Sequence, residues 1–471
     1  MNKSVYSKTH IFVEFFAILK RKKRRNSHHI DQEVFMQQKK SINLGFRGWM
    51  LVLYQAIAFM TYQVFTNYPL NILSDLYGGS STVSIIYTVG AVLGIIIQLV
   101  FANKINKVKN VKVMSSLVGA AALIVSFLVM VVPAGIGWYI VYGLANIFTV
   151  IYATFSIGVL VGQWFPTRKG TVMGIATFAF PISNGLIGAF ASAAFKNGVP
   201  NVFNSFLPFF IVAVVGWLIG LIFIKDYPEQ CGAYRDNDRS LTPEIANKML
   251  EAEIENKRTT VWKLGKTLST GDYWLLTIPL GLLLMFSVGM MTQTSAMIGT
   301  YENLNYQIIM VIIMIFGLLG SYFLGLLDTK IGTKKAVTIA MILMIVSGIL
   351  GAIPNEVTLV IALVLLALFM GASSNFTVSA SVQYWRIEDY PSVFAVVNPI
   401  ANILCSIGPM LIANLMYTTL GYRAPFVACA VAGVIGAVFI ILFKPARVAK
   451  KDNALRAAAG KPVDDALASR K

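Results

Sequence analysis

From residue 48 onward, long uncharged runs alternate with short polar or charged stretches. Each run holds 18 or more residues, and as an α-helix that length crosses a hydrocarbon layer of roughly 30 Å. Twelve such runs are predicted as helices, at about 48–70, 81–101, 113–132, 136–162, 170–194, 204–224, 274–297, 306–327, 336–353, 357–384, 392–418 and 424–443. The expected fold class is an all-α polytopic membrane protein with twelve transmembrane helices in two pseudo-symmetric six-helix halves. The division falls at the stretch 225–273, the longest connection between runs. It separates a first half, 48–224, from a second, 274–443, with flanking tails 1–47 and 444–471. Within it, "LTPEIANKMLEAEIENKR" predicts a surface helix, with Thr242 as its N-cap, Pro243 in the first turn and acidic residues near the start.

Short words recur between the halves at near-constant offsets. "FTN" at 65–67 corresponds to "MTQ" at 291–293, "NKIN" at 103–106 to "TKIG" at 329–332, and the turn at Gln163 to "VQYWRIED" at 382–389. Singly these are weak; matched to the same connections in each half, they point to duplication.

Composition agrees, with 56% hydrophobic and 13% charged residues. The net charge of +18 takes its meaning from where it lies. If the runs cross a bilayer, 37 of the 39 Lys and Arg fall on one side, and only Lys196 and Arg423 on the other. The excess of cations on cytoplasmic connections then places both termini and the central stretch in the cytoplasm, with the plasma membrane as the expected location. A nucleic-acid partner is not expected. The tail "HIFVEFFAILKRKKRRNSHH" has the reverse of a cleaved leader's order and reads as a basic segment that fixes topology; the alternative is a short interfacial face of Phe12, Phe15, Phe16 and Leu19 on anionic headgroups. Cys231, Cys405 and Cys429 have neither pairing nor metal spacing, and His10, His28 and His29 all lie in the tail, so neither metal nor cofactor is expected.

Three segments carry a family resemblance. "GLLDTKIGTKKA" at 325–336 resembles the inter-helix signature of the major facilitator superfamily, with Gly325, Asp328, Lys330, Gly332 and Lys334 on a short turn. Asp328 stands one position before the family's usual acid slot, which Thr329 fills, and the first-half counterpart "NKINKVKNVK" keeps Lys104 but has Asn103 and Asn106 for the acid and the glycine. "GQWFPTRKGTVMGI" at 162–175 and "WKLGKTLSTGDYWLLT" at 262–277 look like segments of the oxalate/formate antiporter and monocarboxylate transporter branch. The resemblance implies a gating role at the cytoplasmic rim for Arg168, Lys169 and the five residues of the 325–336 turn. It also implies that spans 1, 4, 7 and 10 line a central cavity.

An ionisable group inside a span is costly and normally marks function. None is present here: all 21 acids map to tails, connections or span ends, and the span interiors contain no Lys or Arg. Relatives that carry oxalate hold it with buried cations, so a dianionic substrate is disfavoured. What remains for recognition is neutral: Tyr62, Gln63 and Asn67 in the first span, Asn146 and Tyr152 on one face of the fourth, Asn184 in the fifth, Gln293 in the seventh, Asn375 in the tenth, and Asn398 and Asn402 in the eleventh. Asn67 and Gln293 fall at equivalent positions of the two halves. Single Ser, Thr and Asn residues also bond between packed helices without a ligand. Gly90 and Gly94 form a small-xxx-small pair expected to pack within a monomer.

The expected activity is transport by alternating access, of a small or amphipathic organic solute, with a monocarboxylate or hydrophobic organic acid favoured and protons as a candidate co-substrate. Multidrug or neutral-solute export is the alternative. Enzyme chemistry is not expected, since the spans lack nucleophile–base pairs, metal ligands and paired acids.

Overall fold

A computed structural model describes residues 43–105, 110–165, 172, 175, 176, 178–190, 195, 196, 199–386, 388–463 and 467. Ahead of the bundle the description begins at Asn43, whose Oδ1 accepts a hydrogen bond from the Gly45 amide at 3.1 Å. In the first half the helices are α1 Gly45–Asn71, α2 Gly79–Ile105, α3 Val111–Val131, α4 Ile136–Val150, α5 Ile157–Trp164, α6 Ala179–Phe190 and α7 Val202–Phe223. The second half has α10 Gly271–Thr292, α11 Thr294–Ile298, α12 Tyr306–Ile331, α13 Thr333–Gly351, α14 Glu356–Tyr384, α15 Tyr390–Met416 and α16 Arg423–Leu442. Between them lie α8 Pro243–Thr259 and α9 Leu264–Leu268, and α17 Pro445–Ala458 follows. A two-residue antiparallel pair, Phe195–Lys196 with Val199–Pro200, joins α6 to α7.

Eleven of these helices are long and apolar enough to cross a membrane. The predicted fifth run, 170–194, is described only in part, and α6 is its continuous piece. Helices dominate because a lipid environment offers no partner for a free backbone N–H or C=O. The starts are marked by short polar side chains: Asn201, Asn305 and Asn355 cap α7, α12 and α14, accepting from amides at 3.1, 3.1 and 2.9 Å. Thr242 caps α8 as the sequence predicts, accepting from Ile245 N at 3.4 Å.

Successive spans run in opposite directions, giving the bundle a central-loop end and a far end. Small residues bring neighbouring helices together. A Cβ added to Gly90 would meet Asn146 Cβ and Gly143 O at 2.9 Å, and one on Gly94 would meet Val150 Cγ1 at 2.7 Å, so the predicted glycine pair is packed between α2 and α4 of one chain. Tighter still, a Cβ on Gly320 would lie 2.0 Å from Leu368 O, and one on Gly371 2.1 Å from Gly317 O, where α12 crosses α14.

At the central-loop end the halves repeat one device. Lys112, entering α3, donates Nζ to Leu221 O at the end of α7 at 2.6 Å; Lys334, entering α13, donates to Ile441 O and Phe443 O at the end of α16 at 3.1 and 2.7 Å. In both cases a cation sits on the unpaired carbonyls of a neighbouring helix C-terminus, the negative end of its dipole. Arg423 does the same at the far end, donating to Ala352 O at 2.7 Å.

The same end of the second half holds a buried ionic cluster. Arg456 of α17 pairs with Asp389 at 2.7 Å, with Asp452 at 3.2 Å and with Glu388; Arg386 meets Asp452 at 2.7 Å. Asp452 is fully buried and also accepts from Trp262 Nε1 at 2.8 Å, while Asp389 accepts from Thr260 Oγ1 at 2.6 Å. Burial by itself would lower the Arg456 pKa; hydrogen bonds to Glu388 and Asp389 outweigh it and raise the pKa above the ordinary arginine value. The cluster ties α17, the α14–α15 turn and the end of the central stretch into one body.

Removing one member of a buried ion set strands its partners. Arg456→Ala is therefore expected to cost about 3–5 kcal/mol, read as a fall in melting temperature of detergent-purified protein, with Arg456→Lys recovering only part because it lacks the planar fork. Gly371→Ala is expected to lower the melting temperature as well, by forcing α12 from α14, whereas the same change at the open Gly265 leaves it in place.

Candidate functional site

The two halves meet along α2 against α15 and α6 against α12. On α15, Asn398, Asn402 and Ser406 form a ladder at intervals of four. Asn402 Nδ2 donates to Asn398 O at 2.8 Å and to Asn398 Oδ1 at 3.1 Å, and Ser406 Oγ donates to Asn402 O at 2.8 Å. Thr377 of α14 reaches the ladder through Asn398 Oδ1 at 3.4 Å. From the other half, Thr88 of α2 donates Oγ1 to Ser406 O at 2.8 Å. One position before Thr88, Tyr87 shares a hydrogen bond of 3.4 Å with Tyr62. The predicted residues Tyr62, Asn398 and Asn402 are thereby brought to one seam between the halves.

A second group links α1 to α4. Gln63 Oε1 accepts from Asn67 Nδ2 at 2.5 Å, Thr66 O accepts from Tyr142 OH at 2.5 Å, and Tyr142 O accepts from Asn146 Nδ2 at 2.8 Å. Gln63, Asn67, Asn146, Asn184 and Gln293 are each at most 5% exposed, yet Asn67 Oδ1, Asn146 Oδ1, Asn184 Nδ2 and Gln293 Nε2 have no protein partner. Such atoms are costly to bury bare, and four of them belong to candidate binding residues.

Tyr152 lies elsewhere. Its ring packs edge-on to Tyr54 at 5.8 Å, and a Cβ on Gly119 of α3 would touch it at 2.7 Å, so it belongs to the packing of α1 and α3. The residues Ile151–Ser156 form a π-helical turn between α4 and α5, a feature that helical spacing alone does not reveal; such turns rotate the following helix and recur at functional positions. Asn375, in the middle of α14, is half-buried.

Among the gating candidates, Arg168 and Lys169 lie outside the described residues. Asp328 Oδ1 accepts from Thr333 Oγ1 at 2.5 Å, the Thr333 amide donates to Gln383 Oε1 at 2.7 Å and the Lys334 amide to Tyr384 OH at 2.7 Å, all within the second half. Gly332 adopts φ +86°, which explains a glycine in the one-residue turn between α12 and α13. Gly325 has open space where a Cβ would stand, and Lys330 is exposed.

Sequence reasoning passed over Asn71, Tyr87, Thr88, Tyr306 and Ser406, which make contacts between helices or halves. A signal existed for Asn71: Gln63, Asn67 and Asn71 recur every four residues in α1. Two apolar grooves, of about 520 Å³ between α10, α15 and α16 and about 320 Å³ between α2 and α4, contain none of the candidate binding residues. No group of His, Cys, Asp or Glu among the described residues is arranged to hold a metal.

Residues 280–469 match the sequence profile of the Major Facilitator Superfamily. No curated protein matches the chain by sequence. Among solved structures, the chain is similar to a bacterial homolog of the human lysosomal transporter Spinster. The inward-facing, unoccupied form aligns with a TM-score of 0.61 at 14% identity, over 88% of this chain and 99% of that one. The inward-facing, occupied form aligns at 0.59 and 14% identity, over 86% and 97%. The chain is thus a multi-pass membrane protein with the fold of the major facilitator transporters.

Proposed function

We propose that this protein is a secondary carrier that moves a small or amphipathic organic solute by alternating access of its two halves, with a monocarboxylate or hydrophobic organic acid as cargo. The observation that carries the reading is a span interior furnished with amides and tyrosines and devoid of Lys, Arg, Asp and Glu. A permanent charge entering such a space meets no counter-charge and a large desolvation cost. An acid that enters protonated escapes that cost: its hydroxyl suits an acceptor such as Asn67 Oδ1, its carbonyl a donor such as Gln293 Nε2, and the proton travels with the cargo. In this reading the protein acts as a monomer in the plasma membrane with both termini in the cytoplasm, and Arg168, Lys169, Gly325, Asp328, Lys330, Gly332 and Lys334 govern opening at the cytoplasmic rim. Export of a neutral solute is the second reading, favoured by the same lack of charge.

Purified protein in liposomes separates the two. Uptake of labelled monocarboxylates and of one bulky hydrophobic acid is expected to be stimulated by an inward proton gradient, and to fall about tenfold or more in the Asn67→Ala, Gln293→Ala double variant. If no acid moves while a neutral compound does, the carboxylate assignment is lost. A second readout uses acids of graded strength at one pH above all their pKa values: each unit of lower acid pKa leaves tenfold less of the neutral form, and initial uptake is expected to fall in step. Uptake that ignores acid strength rejects entry as the neutral acid.

A further inference from the structure

At the far end, the final residue of α1 is bound from three directions by the second half. Asn71 Nδ2 donates to Tyr306 OH at 3.1 Å, Asn71 Oδ1 accepts from the Ser295 amide at 3.0 Å, and Ser295 Oγ donates to Asn71 O. The last bond fills one of the carbonyls that a helix C-terminus leaves without an internal partner. Asn71 is 6% exposed, so these bonds are shielded from competing water. A second polar link at this end, from Ser81 Oγ to Asn414 Oδ1 at 3.1 Å, is exposed and correspondingly weak. Every bond Asn71 makes here is neutral, which lets a rocking motion break it without stranding a charge.

We infer that Asn71 is the gating pin of the far-end seal: its amide and carbonyl hold the tip of α1 to the connection between α10 and α12, and their release opens the bundle at that end. The inference rests on the carrier reading and gives it a specific moving contact. Both partners come from the other half, and both occupy short non-span segments or helix starts, Ser295 in α11 and Tyr306 at the first turn of α12. A shift of the α1 tip by one hydrogen-bond length therefore breaks the whole set together.

The seal is tested by thiol labelling, which needs no knowledge of the substrate. Ser84 is fully buried on α2 between Ser81 and Thr88, both bonded to α15, so Ser84→Cys reports separation of the halves beneath the far end. The reporter is placed in full-length protein carrying Cys231→Ser, Cys405→Ala and Cys429→Ala, reconstituted in vesicles and exposed to a membrane-impermeant maleimide. Adding Asn71→Ala is expected to raise the labelling rate about 5- to 30-fold, the effect of losing one or two kcal/mol from the closed state. Tyr306→Phe and Ser295→Ala are expected to raise it less, and Asn414→Ala hardly at all. An unchanged rate with Asn71→Ala overturns the inference. Should that variant fail to fold, the two milder variants decide, and unchanged labelling in both overturns it. Increased labelling in a protein that moves no solute would reject the carrier reading while leaving the pin in place.

Discussion

A charge in hydrocarbon without a partner costs several kcal/mol, and the disposition of polar groups in this chain follows from that cost. Lys112, Lys334 and Arg423 rest on carbonyls at helix C-termini, where the dipole and unfilled acceptors meet them. Arg456 is buried, and Arg386 partly buried, in the company of Asp389 and Asp452. Between the helix ends the chain uses neutral amides, hydroxyls and tyrosines, which bring direction and specificity at a far smaller desolvation cost.

The same cost sorts strong contacts from breakable ones. The ion pairs described above join the α14–α15 turn of the second half to the helix that follows it. The links between halves described above are neutral: Thr88 to Ser406, Asn71 to Ser295 and Tyr306, Ser81 to Asn414. Each is worth about 1 kcal/mol net, enough in sum to favour one arrangement and small enough to exchange for another. Weak neutral seams of this kind suit the alternating access proposed above.

Close packing sets the remaining limits. Glycines at 320 and 371 let backbones touch within the second half, Gly317 packs against Pro181 of the first half, and Gly90 and Gly94 bring α2 and α4 together within the first. A π-helical turn follows α4, and Tyr152 within it lies against Tyr54 while Asn146 lies beside α2. Thr149 links the two by steps of three, and each such step drifts about 60° around a regular helix, so the stripe that starts at Asn146 has left its face by Tyr152. Tyr152 therefore reads as cavity-lining in the sequence and packs against Tyr54 in the structure.

The chain by itself determined its spans, because uninterrupted apolar length is a local property and the bilayer thickness converts it directly into helices. It likewise determined the Thr242 cap and the absence of charge in the span interiors. Other features were decided only by the tertiary structure. Asn71 is one polar residue among several at the end of α1 until Ser295 and Tyr306, more than 200 positions away, close around it. Arg456 reads as a tail cation until the fold sets it among three carboxylates. Partners distant in sequence leave no periodic trace, so which polar groups find one another is settled by packing alone.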